Sequence, residues 1–239
     1  MASRVAFQGE RGAFGEMAAL QYLPNAELVP LKTFQDVFDA AQTGDVDYAV
    51  VPVENSTEGS VNETYDLLLQ TEMNVIGEVY QRVRHCLIAN FGSKIKFVYS
   101  HPQALAQCRG YLQKHKLEAK PAYDTAGAVK MVKEQKMTDS AAIASRRAAE
   151  LFNMEIIEEG IEDMKNNYTR FLVLSTVKKP NEELDAKYKT SMIFSVKHVP
   201  GALFGILGEF AIRKINLTKI ESRPTKETPW EYNFYVDVE

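Results

Sequence analysis

The sequence predicts an α/β fold followed by a smaller α+β module, and three observations carry that reading. From Val5 to Thr176 short β-rich runs alternate with amphipathic helical stretches, the pattern of a parallel or mixed sheet covered by helices. Next comes Lys178-Lys179-Pro180-Asn181-Glu182-Glu183-Leu184-Asp185-Ala186-Lys187, a polar, charged, proline-broken segment with the composition of a linker. After it the order strand, helix, strand, strand makes up three quarters of a β-α-β-β-α-β module.

Taken in order, strands are expected at 5–7, 27–31, 48–52, 75–80, 86–90, 97–100, 141–144 and 171–175, with helices between them. Thr33-Phe34-Gln35-Asp36 places a hydroxyl cap three residues before an acid and opens a helix carrying Val37, Phe38 and Ala41 on one face. Asp124-Thr125 opens another, with Ala128, Val129 and Val132. Beyond the linker, strands are expected at 191–198, 217–221 and 232–238, with a helix after Pro200-Gly201. The sequence stops at Glu239, before the second helix and fourth strand of a ferredoxin-like module. In the usual strand order this leaves 191–198 as an unpaired edge beside a half-bare sheet face. The expectation is that a dimer partner covers that surface, or that the chain is shortened and ends in a poorly ordered tail.

Composition narrows the function. The 239 residues are 45% hydrophobic and 25% charged, enough to bury a core without disulfides. The 28 basic residues are interleaved with 32 acidic ones for a net charge of −4, which argues against a phosphate-tracking nucleic-acid binder. Cys86 and Cys108 lack the spacing of a zinc or redox motif, so no metal is expected and a reducing, cytoplasmic location is. No signal peptide is visible, and no apolar run reaches the length of a membrane span.

Four local segments have side chains suited to chemistry. Gln8-Gly9-Glu10-Arg11-Gly12-Ala13-Phe14-Gly15 is a glycine-rich turn that either cradles an anion at a helix start or simply turns the chain. Its Gly-x-x-Gly-x-x-Gly spacing fits neither a dinucleotide fingerprint nor a phosphate loop. Pro52-Val53-Glu54-Asn55-Ser56-Thr57-Glu58-Gly59-Ser60 follows a buried run at a strand's carboxyl end, where open α/β sheets bind ligands, although Asn55, Ser56 and Ser60 also suit helix capping. Ser100-His101-Pro102 opens a helix bearing Gln107. Ser100 is placed to cap it and Pro102 suits its first turn, while adjacent Ser and His are poorly placed to act as nucleophile and base. In Asn166-Asn167-Tyr168-Thr169-Arg170-Phe171, Arg170 suits either a carboxylate clamp or a surface ion pair, with the Thr169 hydroxyl beside it.

In this order the segments resemble the prephenate dehydratase family, including its plant-type arogenate dehydratase relatives. Thr169-Arg170-Phe171 is similar to the family's Thr-Arg-Phe signature, Pro52-Val53-Glu54-Asn55-Ser56 to its Pro-Val/Ile-Glu-Asn-Ser/Thr loop, and Ser100-His101-Pro102-Gln103 with Gln107-Cys108 to its Ser-His-Pro-Gln helix start. Gly201-Ala202-Leu203 and Glu221-Ser222-Arg223-Pro224 resemble two motifs of the ACT regulatory domain attached to these enzymes. Gly15 departs from the pattern, standing where many members carry Ser or Thr.

The resemblance implies a two-lobed fold like the type 2 periplasmic-binding proteins over residues 1–177, a linker at 178–189 and a partial ACT domain at 190–239. Lobe one would combine about 1–80 with 167–177, and lobe two would span about 81–166, with the active site in the cleft. The implied reaction is the decarboxylating dehydration of prephenate to phenylpyruvate in phenylalanine biosynthesis, without cofactor. Thr169 would assist the leaving hydroxyl while Asn55, Ser100 and Gln107 orient it and the substrate. Glu54, Ser56, Thr57, Arg170 and Phe171 would line the substrate site. Gly201, Ala202, Leu203, Glu221, Ser222, Arg223 and Pro224 would take phenylalanine as effector at the interface of a homodimer or homotetramer. Arogenate dehydration, or amino-acid binding without catalysis on the same scaffold, are the competing readings. Retention of Thr169 and Asn55 speaks against the last.

Overall fold

The computed structural model describes residues 2–178, 188–226 and 228–239, so 179–187 of the expected linker lie outside the described residues. In chain order the first lobe contributes β1 (Arg4–Gln8), α1 (Phe14–Tyr22), β2 (Glu27–Leu31), α2 (Phe34–Thr43), β3 (Tyr48–Asn55), β4 (Gly59–Ser60), α3 (Asn62–Gln70) and β5 (Asn74–Arg82). The second lobe follows with β6 (Cys86–Ala89), β7 (Phe97–Ser100), α4 (Pro102–Gln107), α5 (Arg109–Lys114), β8 (Glu118–Pro121), α6 (Thr125–Glu134), β9 (Ser140–Ala144), α7 (Arg146–Phe152) and β10 (Glu155–Glu159). The chain then returns to the first lobe as β11 (Tyr168–Ser175) and continues into β12 (Thr190–Ser195), α8 (Ala202–Ile212), β13 (Leu217–Pro224) and β14 (Tyr232–Val238).

Each lobe is a mixed sheet with helices on both faces, and two chain crossings join them, which is the expected periplasmic-binding-protein-like architecture. The first sheet has the order β2-β1-β3-β11-β5, with β4 paired to β3, and the second the order β10-β6-β9-β7-β8. The first is packed on one face by Val37, Phe38, Ala41 and Tyr65 and on the other by Ala18 and Ala19 of α1. The second is packed by Ala128, Val129 and Val132 on one face and by Ala104, Leu105 and Leu112 on the other. Such near-continuous apolar strands follow from burial on both sides. Thr33 and Asp36 form the expected capping box at α2, and Asp124 caps α6.

Some elements depart from the sequence expectation. β8 and β10 were not foreseen, because Glu118-Ala119-Lys120-Pro121 and Glu155-Ile156-Ile157-Glu158-Glu159 are polar edge strands whose charges protect an open edge and mask the apolar alternation. β3 and β11 each run three residues beyond their expected limits. Asn55 and Thr169 therefore lie on paired strands rather than in loops.

The turn between β1 and α1 is a contact between lobes rather than an open anion cradle. Gly12, at φ +93, lies so close to α7 that a Cβ there would stand 2.8 Å from Ala148 Cα. Its carbonyl accepts from Ser145 Oγ at 2.6 Å, and its N–H donates to the Glu16 carboxylate. Glu16 is fully buried and accepts from Arg147 Nε at 2.9 Å and from its terminal nitrogen at 2.7 Å.

The C-terminal sheet has the order β12-β14-β13, the ferredoxin-like order, with β12 at an edge. One face meets lobe one. Tyr235 Oη donates to Tyr65 O at 2.9 Å, Lys219 lies 3.2 Å from Glu54, and Arg223 pairs with Asp66 at 3.2 Å. The other face carries the stacked Phe194 and Phe234 rings, and α8 on that side buries none of its residues, leaving Phe204 80% exposed. No helix among the described residues is long and apolar enough to cross a membrane.

Candidate active site

The cleft between the lobes is a cavity of about 490 Å³ lined by Pro52, Asn55, Thr169 and Phe171 from lobe one and by His85, His101, Gln107 and Asp124 from the first crossing and lobe two. Strand alternation explains which residues reach it. On β11, Thr169 and Phe171 face the cleft and Arg170 faces away. On β3, Val51 and Val53 enter the core, so Asn55 would follow them if the strand were regular. It does not, because the pairing skips a residue: Arg170 opposes Glu54 and Phe171 opposes Pro52. This β-bulge at Val53 turns Asn55 onto the cleft face opposite Thr169 and sends Glu54 the other way.

Asn55 is held in one orientation. Its Oδ1 accepts from the backbone N–H groups of Thr57 at 3.0 Å and Glu58 at 3.1 Å, and from Thr57 Oγ1 at 2.7 Å. Its Nδ2 therefore donates, to Asn167 Oδ1 at 2.7 Å and to Thr169 Oγ1 at 3.0 Å. Because the Thr169 oxygen already accepts a bond, its own hydrogen is free to donate into the cleft. Across the cleft, Gln107 Oε1 accepts from Asn167 Nδ2 at 2.9 Å, and its Nε2 donates to Thr57 Oγ1 at 3.2 Å. One network thus ties Thr169, Asn55, Asn167, Thr57 and Gln107 across both lobes.

Other expected site residues lie elsewhere. Ser100 is buried and donates to Ile143 O at 2.6 Å, so its hydroxyl holds two strands together and does not face the cleft. The cap of α4 is instead His101, whose Nδ1 accepts from Gln103 N–H. Arg170 is no substrate clamp in this geometry, since its Nε meets Glu78 at 2.7 Å and its guanidinium also meets Asp237 of β14. Glu54 pairs with Lys219, for the alternation reason given above. Ser56 bridges Asn166 O and Tyr168 N–H and supports the second crossing. The effector segments are not joined within one copy of the chain. Ala202 and Leu203 line a separate cavity with Tyr232 and Phe234, whereas Glu221 and Arg223 face lobe one, on Ser60 and Asp66.

Three cleft residues were not singled out from sequence. Asn167 stands two residues before Thr169, a spacing that could have placed both on one face. His85 lies in the first crossing with no local signature, and the local sequence of Asp124 signals only a helix cap. One oxygen of Asp124 is buried in the cleft wall without a partner among the described residues. Burial raises its carboxyl above the ordinary range. Burial of both thiols pushes Cys86 up to about 11 and Cys108 higher still.

Comparison with known proteins places the chain in a family. Residues 5–179 match the family model described as prephenate dehydratase, and residues 190–239 match the ACT domain. A protein of Arabidopsis thaliana named arogenate dehydratase/prephenate dehydratase 2, chloroplastic, is 45% identical over 99% of this chain. The chain spans 65% of that relative's length. A solved prephenate dehydratase from Arthrobacter aurescens in complex with L-Phe superposes with a TM-score of 0.89 at 31% identity, covering 98% of this chain and 80% of that one. A structure described as a novel type of quorum quenching acylase, GqqA, superposes with a TM-score of 0.90 at 34% identity, covering 99% and 87%. The chain belongs to the prephenate dehydratase family and carries an ACT domain behind the two lobes.

Proposed function

We propose that this chain is a prephenate dehydratase, a carbon–oxygen lyase that converts prephenate to phenylpyruvate, water and carbon dioxide in phenylalanine biosynthesis. The observation that carries this reading is the Thr169 hydroxyl, whose oxygen accepts from Asn55 in the lining of the cleft. Prephenate gains an aromatic ring when its ring carboxylate departs as carbon dioxide and its hydroxyl departs as water. The electron pair of the breaking carbon–carboxylate bond enters the ring as the carbon–oxygen bond opens, so the task is to protonate or strongly hydrogen-bond the departing oxygen. Thr169 donates that hydrogen, and the Asn55 amide N–H disperses charge developing on its oxygen. Asn167 and Gln107 fix Asn55 and close the floor. The substrate carboxylates meet Lys32 at the cleft rim.

Arogenate is the second substrate to test, because its ammonium group suits the unpartnered, buried oxygen of Asp124. An acylase would need an activated nucleophile, and the candidates are unsuited. Ser100 donates to a backbone carbonyl, and both cysteines are buried with raised thiol pKa values. Phenylalanine is the proposed effector, at the module carrying Gly201, Ala202 and Leu203. The exposed apolar side of α8 supports a homodimer or homotetramer in which a second copy completes that site. The two free buried cysteines suit a reducing, cytoplasm-like compartment.

The test mixes purified protein with prephenate near neutral pH and follows phenylpyruvate against Thr169→Ala and a no-enzyme blank. Product from the wild type that falls roughly 100-fold or more in the variant supports the assignment. Equal turnover in the two removes Thr169 from the mechanism. Turnover of arogenate alone changes the substrate but keeps the chemistry.

A further inference from the structure

His85 belongs to none of the segments discussed so far, yet it stands at the join of the lobes. It follows β5 at the first crossing, where its N–H donates to Glu162 Oε2 at 2.9 Å and its carbonyl accepts from Gly160 N–H at 2.8 Å in the second crossing. The second crossing therefore clamps its backbone. The ring is 2% exposed, lines the cleft and meets the Phe14 ring edge-on at 5.6 Å. Its Nε2 lies 2.9 Å from Gln107 Oε1.

The proton on this ring can be located by following hydrogen-bond polarity from the backbone. Two backbone N–H groups fix Asn55 Oδ1 as the acceptor, so Asn55 Nδ2 points at Asn167. The Asn167 atom that receives it is Oδ1, so Asn167 Nδ2 points at Gln107. The Gln107 atom between Asn167 and His85 is therefore the oxygen, and His85 Nε2 must carry a hydrogen to meet it. The other ring nitrogen, Nδ1, is buried and has no partner among the described residues. Burial lowers the His85 pKa, in keeping with a neutral ring.

We propose that His85 is a positioning residue for the dehydratase reaction: its Nε2–H holds Gln107 Oε1, and so fixes the Gln107 amide with its N–H toward Thr57 and the cleft. This assignment rests on the dehydratase reading above. Without the His85 bond, Gln107 keeps only Asn167 on its oxygen and can rotate about its long side chain. The loss falls on the alignment of Asn55 and Thr169, which share the network.

The test uses the full chain with His85→Leu, His85→Gln, Gln107→Leu and the double variant His85→Leu/Gln107→Leu. His85→Leu should lower kcat/KM about tenfold or more on whichever of prephenate or arogenate the wild type turns over. His85→Gln should recover most of that loss, because a glutamine N–H reaches the position of Nε2. In the Gln107→Leu background the His85→Leu change should cost less than about threefold, the signature of one residue acting through the other. A His85→Gln variant as impaired as His85→Leu would overturn the proposal, as would losses that simply multiply. An activity-independent arm records long-range 1H–15N spectra of wild-type protein labelled in its four histidines. One imidazole should be neutral and protonated on Nε2 across the working pH range. The Nδ1–H form at His85 would overturn the proposal, whereas a wild type inactive on both substrates but with the expected tautomer would instead sink the dehydratase reading.

Discussion

Replacing Arg147 with alanine should open the contact between the lobes at a cost that can be worked out in advance. Glu16 is fully buried, and the guanidinium supplies two of its hydrogen bonds while the Gly12 N–H supplies a third. Removing one partner of a buried ion pair typically costs about 3–5 kcal/mol, because the remaining charge is left uncompensated. The Arg147 side chain is 33% exposed, so solvent screens the pair and the lower end applies, about 3 kcal/mol. For a protein of this size that corresponds to a fall in Tm of about 6–12 °C, readable by thermal unfolding at neutral pH. Adding Glu16→Gln removes the stranded charge and should restore more than half of the loss. If Arg147→Ala lowered Tm by less than about 2 °C, or if Glu16→Gln gave no rescue, the buried pair would not be what joins α1 to α7.

Other outcomes follow from the same kind of reasoning. Gly12→Val should destabilise by about 2–4 kcal/mol, since it adds a side chain at φ +93 against Ala148, and urea unfolding checks this. Arg170→Met leaves the buried Asp237 without its cation and Glu78 with Lys189 alone, so hydrogen exchange in β14 should accelerate while β6 and β9 stay protected. Because burial depresses the His85 pKa below its ordinary 6.5, the unfolded chain takes up a proton there before the folded one does. Its contribution is therefore complete above 6.5 and declines as pH falls below that value, an effect that His85→Gln should remove from the pH dependence of unfolding. Both cysteines should resist a thiol reagent in the native protein and react only on unfolding, and rapid native labelling of either would contradict their burial.

The architecture could largely be read from pattern, because strands buried on both faces are plainly apolar and the capped helices announce their starts. Thr33 with Asp36 and Asp124 are examples in which local chemistry and tertiary position agree. Polar edge strands such as β8 carry no such mark. For the cleft, motif resemblance directed attention to Thr169, Asn55 and Gln107, and the structure joins these three in one network. It misplaced Arg170 and Ser100, because a motif specifies neighbours in sequence while a strand sends neighbours to opposite faces. Arg170 is needed beside Thr169 for a different reason, docking the C-terminal sheet. His85 was invisible because its partners, Gln107 and Glu162, are 22 and 77 positions away.

The single extra residue in β3 works like a frameshift in three dimensions. Upstream of it, the strand's phase is set by the core, with Val51 and Val53 pointing inward. Downstream, the phase is reversed, and every side chain swaps its destination: Asn55 joins Thr169 and Glu54 joins Arg170 on the side of the C-terminal sheet. The same residues run as a regular strand, with Val53 paired and no bulge, would exchange the two audiences, aiming a carboxylate into the cleft and burying an amide where Lys219 waits. Substitutions can tune either face independently, but the phase that assigns residues to the two faces hangs on one unpaired residue.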